Sequence, residues 1–214
     1  MDATVSVTAV ETVGPNTYAI RFDTPTGFAA EPGQFVRLGT EIDGESVSRF
    51  YTLSSPTVDE TVEVTVAIDP EDGGDFSQFL VDIEPGTRLS FAGPYGDQHY
   101  DGESRAVVLA GGPGVGPAVA IAERAVADGG EAAIVYRDGA PAHEARLSAL
   151  REAGVDVVIL SADDPLDSPV AAAVSGGDDE GVFVYGFADF VEDATTAIER
   201  GGGDPDAAKV ENFG

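Results

Sequence analysis

No cysteine occurs in the 214 residues. That absence excludes disulfides, thiolate-held zinc and a cysteine-ligated iron–sulfur cluster on this chain. Lysine is nearly absent too: Lys209 stands alone, and arginine supplies the rest of the 11 cations. Against 39 acidic residues they leave a formal charge of −28. No nucleic-acid partner and no anionic-membrane partner is expected, because phosphate-rich surfaces are bound by clustered cations. Histidine occurs only as His99 and His143, one in each half, so neither metal catalysis nor a histidine-based nucleophile is supported. No apolar run approaches the roughly 18 residues of a membrane span. The opening stretch MDATVSVTAVETV lacks a basic region followed by an apolar one, so no secretory signal is expected. The expectation is a soluble, cytoplasmic protein.

What is present argues for a folded chain: 43% of residues are apolar and 8% aromatic. Two halves differ in periodicity. Up to about residue 100 the chain reads as short alternating strands, among them 4–10, 17–22, 34–40, 48–55, 61–68 and 88–93, separated by turns. One helix is predicted at 75–83, with apolar Phe76, Phe79, Leu80 and Ile83. After residues 101–104 the strands become near-continuous apolar runs, at 106–110, 132–136, 155–160 and 182–186. Such runs belong to parallel strands covered on both faces. Alanine-rich helical segments at 117–128, 142–153 and 189–200 lie between them. The predicted architecture is an antiparallel β-barrel over 1–102 followed by a doubly wound α/β domain with a parallel sheet over 103–214.

Several stretches carry chemistry. In VVLAGGPGVGPAVAIAE a buried strand runs into a glycine-dense turn and then a helix, the arrangement that receives a phosphate at a helix N-terminus. Gly111, Gly112, Gly114 and Gly116, with Val115 among them, would let backbone amides approach a pyrophosphate; a tight strand–helix turn is the plain alternative. GGDFSQFL places Gly73, Gly74 and Asp75 before Phe76 and Ser77, and the Ser77 hydroxyl is in position to face an anion. SRFYTLSS combines a cation, aromatic rings and hydroxyls on one strand. Arg49 would neutralise a phosphate near Gly74 and Ser77. Tyr51, two residues on, shares its side of the strand and would lay its ring on a flat heterocycle, while Thr52 faces the other way.

Taken together, these residues resemble the ferredoxin–NADP reductase superfamily. RFYTLSS, with Arg49, Phe50, Tyr51, Thr52, Leu53 and Ser54, is similar to its R-x-Y-[ST]-x-x-S signature. GDFSQFL is similar to its G-x-x-S-x-x-L element, GPYG at 93–96 to its G-P-[FY]-G turn, and AGGPGVGP to its nucleotide loop. The motifs occur in the family's order and span almost the whole chain. The resemblance implies FAD, with Arg49, Gly74 and Ser77 on its pyrophosphate, Tyr51 stacked on the isoalloxazine and Thr52 near its reactive nitrogen. It implies NADH or NADPH on Gly111, Gly112, Gly114 and Gly116. It also implies a terminal aromatic residue over the flavin beside an acidic one, the places of Phe213 and Glu211; a frayed tail is the alternative.

Three departures from the family pattern stand out. Pro113 replaces the usual threonine or serine, and Tyr185-Gly186 replaces Cys-Gly beside the site of hydride transfer. Where NADP-preferring members place Ser-Arg, this chain has Ser161-Ala162-Asp163-Asp164, which would repel a 2′-phosphate. Arg137 remains a candidate phosphate ligand, and the balance leans to NADH. The expected function is hydride transfer from NAD(P)H to FAD, then electron delivery to a ferredoxin or similar carrier on another chain. The alternatives are an NAD(P)H:flavin reductase or oxygenase reductase component, and a non-catalytic flavin or nucleotide sensor. The acidic, lysine-poor balance further resembles proteins of salt-loving microbes.

Overall fold

The computed structural model describes residues 1–68, 74–177 and 179–214. Its first half is an antiparallel sheet built from β1 (Asp2–Gly14), β2 (Thr17–Asp23), β3 (Phe35–Ile42), β4 (Glu45–Thr52), β5 (Thr61–Ala67) and β6 (Arg88–Tyr95). The strands lie in the order β4-β3-β6-β1-β2-β5, and an antiparallel bridge between Leu53 and Val64 joins the two ends into a barrel. The alternation read from the sequence sets the inside: Val5, Val7, Ile20, Phe22, Val36, Leu38, Val62, Val64, Leu89 and Phe91 form one core. Turn chemistry fixes the β3–β4 register. Asp43 and Gly44 both have positive φ, 52° and 84°, as a two-residue hairpin with a twist-matched turn requires. The helix α1 (Asp75–Val81) plugs the barrel with Phe76 and Leu80. It stops two residues short of the predicted 83, and Ile83 is buried from the loop beyond.

The second half is a parallel sheet of β7 (Arg105–Gly111), β8 (Glu131–Arg137), β9 (Asp156–Leu160), β10 (Glu180–Gly186) and β11 (Lys209–Asn212), in the order β11-β10-β7-β8-β9. Between them run α2 (Val115–Ala127), α3 (Glu144–Glu152), α4 (Asp167–Ala173) and α5 (Ala188–Arg200). Both faces of β7 are covered. Ala106, Val108 and Ala110 pack with α2 and α3, while Val107 and Leu109 pack with α4 and α5. This double burial is why the strands read as unbroken apolar runs. The strand order reverses between β7 and β10, and a crevice opens at their carboxyl ends, where ligands of such sheets bind.

The barrel and the α/β unit are pinned together by polar contacts. Arg146 of α3 donates to Glu123 of α2 at 2.6 and 2.7 Å, to Glu63 of β5 at 2.9 Å and to the Ser54 carbonyl at 2.9 Å. His143 Nε2 lies 2.8 Å from Thr65 Oγ1. Burial, reinforced by the Arg146 and Arg21 charges, pushes this imidazole down to about 3, so it is neutral. Lys209 donates to the His99 carbonyl, Asp101 and Glu103. Among the described residues, no helix is long and apolar enough to cross a membrane, and no cluster of histidine and carboxylate side chains is arranged to hold a metal.

Candidate functional site

A cleft of about 650 Å³ lies between the barrel and the carboxyl edge of the parallel sheet. β4 brings Arg49, Phe50, Tyr51 and Thr52 to it, α1 brings Ser77, the glycine turn brings Pro113, and the chain end brings Glu211 and Phe213. Residues far apart in sequence thus meet around one cleft.

The Arg49 end is cationic and open. Its guanidinium donates to the Ser48 carbonyl at 2.8 Å, and among the described residues no carboxylate pairs with it. In so acidic a chain, a guanidinium without a carboxylate partner at a cleft is a ready anion contact. Tyr51 stacks on Phe76 with centroids 6.3 Å apart and planes inclined by 27°. Burial pushes its hydroxyl well above the usual phenol range, and the nearby Arg49 charge opposes that only in part. Phe50 is 60% exposed and forms edge contacts with Phe35 and Tyr95, giving the rim an aromatic face.

The opposite wall comes from the chain end. Four residues, three of them polar, form β11 and pair with β10, so Glu211 sits beside Tyr185 and Asn212 beside Gly186. The Phe213 amide donates to the Gly186 carbonyl at 3.0 Å, and its ring meets Phe187 edge-on at 6.0 Å. The tail is docked. At the strand end Thr52 Oγ1 donates to Glu211 Oε1 at 2.8 Å. Thr52, the last residue of β4 and in regular register with Phe35, contacts Glu211, while Tyr51 packs on Phe76. Burial raises the Glu211 carboxyl to about 7, and the Thr52 hydrogen bond pulls it only partly back.

Two consequences follow for pH. Thr52→Val should push the Glu211 carboxyl further up, since it removes the hydrogen bond that favours the charged form; a carboxylate-specific infrared or NMR titration reads this, and an unchanged midpoint would separate the two residues. Because the folded value exceeds the unfolded one, Glu211 contributes stability below the ordinary carboxylate range and loses it as pH rises through about 7.

The remaining predicted residues lie elsewhere. Leu53 is fully buried in the barrel core, and Ser54 donates to Glu63 at 3.1 Å. Phe76 is buried under Tyr51 rather than lining the cleft, and Val115 is buried in the α/β core. Gly74 is the exposed residue before α1; Gly73 and the side chain of Asp75 lie outside the described residues. Ser161 engages Asp164 through its amide, Gly186 holds Phe213, and Arg137 pairs with Asp193. Tyr185, at the family's cysteine position, points away from the cleft: it is fully buried and donates to the Gln98 carbonyl at 2.7 Å. Residues not singled out from the sequence complete the lining, notably Phe35, Thr65, Pro117 and Phe187. Phe187 had a signal, an aromatic residue directly after Tyr185-Gly186.

The glycine turn has a packing reason of its own. A Cβ at Gly111 would enter the Phe190 ring, one at Gly114 would overlap the Tyr185 carbonyl, and one at Gly116 would sit 2.7 Å from Thr65 Oγ1. Gly112 differs: its φ is +55° and the space beside it is open, facing outward where a ligand can approach. Gly114→Ala is expected to destabilise the fold by about 2 kcal/mol or more, because backbone must move on both sides. A denaturant melt matching the parent protein would contradict this packing.

Residues 4–100 match the family model described as "Oxidoreductase FAD-binding domain". Over 112 residues the chain is 39% identical to the glycine betaine monooxygenase reductase subunit of Chromohalobacter salexigens, an alignment covering 50% of this chain and 30% of that protein. The chain therefore spans less than a third of that relative's length. In three dimensions it is similar to the flavohem-like FAD/NAD-binding domain of nitric oxide dioxygenase from Vibrio cholerae, with TM-score 0.83, 17% identity and coverage of 99% of this chain and 98% of that one. It is likewise similar to a ferredoxin NADP+ reductase from Neisseria gonorrhoeae solved with bound FAD and NADP, with TM-score 0.80, 16% identity and coverage of 100% and 99%.

Proposed function

We propose that this chain is an FAD-dependent NAD(P)H oxidoreductase of the ferredoxin–NADP reductase superfamily, a reading supported by the match of residues 4–100 to an oxidoreductase FAD-binding domain and by a fold similar to that of a ferredoxin NADP+ reductase. The observation that carries this reading is the cleft itself, lined by an arginine with no carboxylate partner among the described residues, a stacked tyrosine and, on the opposite wall, a raised carboxyl. The residues present fit a flavin dinucleotide. Arg49 and Ser77 would take its phosphates, Tyr51 would offer a ring face, and Phe50 with Phe35 and Tyr95 would line the rim. Gly112 and the start of α2 would receive the nicotinamide nucleotide. When bound, the flavin supplies hydride acceptance from the nicotinamide and single-electron release to a carrier.

The chain's own residues then do the positioning. Glu211 holds or releases a proton on its carboxyl near neutral pH, which is where a general acid–base group works best. Thr52 orients that carboxyl through Oε1. Phe213 and Phe187 cover the mouth and exclude water. Tyr185, turned toward Gln98, leaves the reacting side of the cleft to Pro113 and Glu211.

Anaerobic mixing of the FAD-loaded protein with NADH or NADPH tests the reading. Bleaching of the flavin absorbance with either nucleotide is expected, and none with both would favour a non-catalytic binding role. The reductase component of an oxygenase is a second reading, favoured by the similarity to a monooxygenase reductase subunit. Its iron–sulfur acceptor would have to lie outside these residues, which contain no cysteine. Faster turnover with a ferredoxin than with free flavin would support electron carriers as the acceptors; the reverse would point to a flavin reductase. The working compartment proposed is the cytoplasm.

The charge of −28 we read as a halophilic adaptation. Screening alone saturates early, since the Debye length is only about 3 Å at 1 M salt. Thermal melts should nevertheless keep rising into molar chloride, where apolar burial strengthens. A plateau below a few tenths molar would contradict the adaptation and leave the flavin site untouched.

A further inference from the structure

Arg137 ends β8 at the carboxyl edge of the parallel sheet, in register with Gly111 on β7 and Leu160 on β9. A nucleotide seated in the crevice beside β7 extends its adenosine over these neighbouring strand ends. There a carboxylate accepts from a free ribose 2′-hydroxyl, whereas an arginine accommodates a 2′-phosphate. By type and place, Arg137 would serve the second purpose.

Its contacts prevent that. The guanidinium donates to Asp193 of α5 at 2.7 Å and lies 5.3 Å from the centre of the Phe190 ring. The Arg137 side chain is only 15% exposed, while Asp193 is 56% exposed and faces the solvent side of the pair. Arg200, the other cation lining this corner, pairs with Asp167 at 3.1 Å. The carboxylates at the same edge are in excess. Asp138 accepts from the Tyr136 hydroxyl and the Ala140 amide, Asp164 accepts from the Ser161 amide, and Asp163 adjoins it. Each cation here is already neutralised, and an incoming dianion would meet only negative charge.

We propose that Asp193 is a specificity-determining residue: by occupying the Arg137 guanidinium, it makes the chain select nucleotides with a free ribose 2′-hydroxyl, NADH over NADPH. This rests on the nucleotide-binding reading above. Asp193 acts through Arg137, and its exposure makes it replaceable without disturbing the core.

Calorimetric titration of the FAD-loaded protein with ADP-ribose and with 2′-phospho-ADP-ribose, at one fixed chloride concentration, tests the assignment without requiring turnover. The parent protein should bind ADP-ribose about tenfold more tightly, the scale of one unfavourable charge contact at a partly screened site. Asp193→Asn should improve binding of the phosphorylated ligand by about fivefold and leave ADP-ribose unchanged. Adding Arg137→Ala should abolish that gain, a non-additivity expected when one residue acts through another. Three results would overturn the proposal: equal or tighter binding of 2′-phospho-ADP-ribose by the parent, an unchanged ratio in Asp193→Asn, or a gain that survives loss of Arg137. If neither ligand binds the parent protein, the nucleotide-binding reading itself fails, and this inference falls with it.

Discussion

Arg49→Ala should weaken FAD binding by about ten- to a hundredfold while leaving the fold intact. The size follows from the about 1.5–3 kcal/mol typical of a hydrogen bond to a charged group. The fold survives because Arg49 is exposed and, among the described residues, donates its hydrogen bond only to the neighbouring Ser48 carbonyl. Nothing buried is orphaned by the change. Arg49→Lys should recover only part of the affinity, because an ammonium cannot present the paired donors that match phosphate oxygens. Flavin titration of the folded apoprotein reads the result, and unchanged affinity would remove Arg49 from the site.

Arg146→Ala should have the opposite profile, with a loss of about 3 kcal/mol in stability and little direct effect on flavin contacts. Arg146 links the α/β unit to the barrel through Glu63 and the Ser54 carbonyl, and pairs with Glu123 of α2 within its own unit. Glu63 is 6% exposed and retains Arg21 at 2.8 Å, so the cost falls chiefly on Glu123 and on the abandoned Ser54 carbonyl. The loss should be measurable by denaturant unfolding. A midpoint equal to the parent's would mean the contacts contribute only as exposed pairs do.

Much of this architecture is legible in the sequence, because the signals are local. The alternation of Ile20 and Phe22 and the doubly apolar run at Val107–Leu109 each report their own surroundings. The site is less legible where contacts are distant. Thr52 and Glu211 meet across 159 positions, and only β11 pairing with β10 puts the carboxylate there. With sequence KVEN, that strand has no apolar pattern to announce it; its existence depends on the neighbouring strand. The stretch after Thr52 illustrates a different limit. Leu53 bridges to Val64 and enters the barrel core, and Ser54 donates to Glu63, so only the first part of the motif reaches the cleft. Glycines carry a third ambiguity, since close approach of a phosphate and close approach of Tyr185 or Phe190 demand the same residue. Tyr185 misleads for a related reason: its sequence position suggests the reacting centre, while its side chain spans to Gln98.

The central claim is that the cleft between barrel and sheet holds FAD on the Arg49–Tyr51 wall. Titration of the flavin-free protein with FAD, followed by flavin fluorescence, tests it most directly. The account predicts saturable binding of one flavin per chain, with emission quenched by the adjacent Tyr51 ring and partly restored in Tyr51→Ala. Emission that remains that of free FAD at every protein concentration would contradict it.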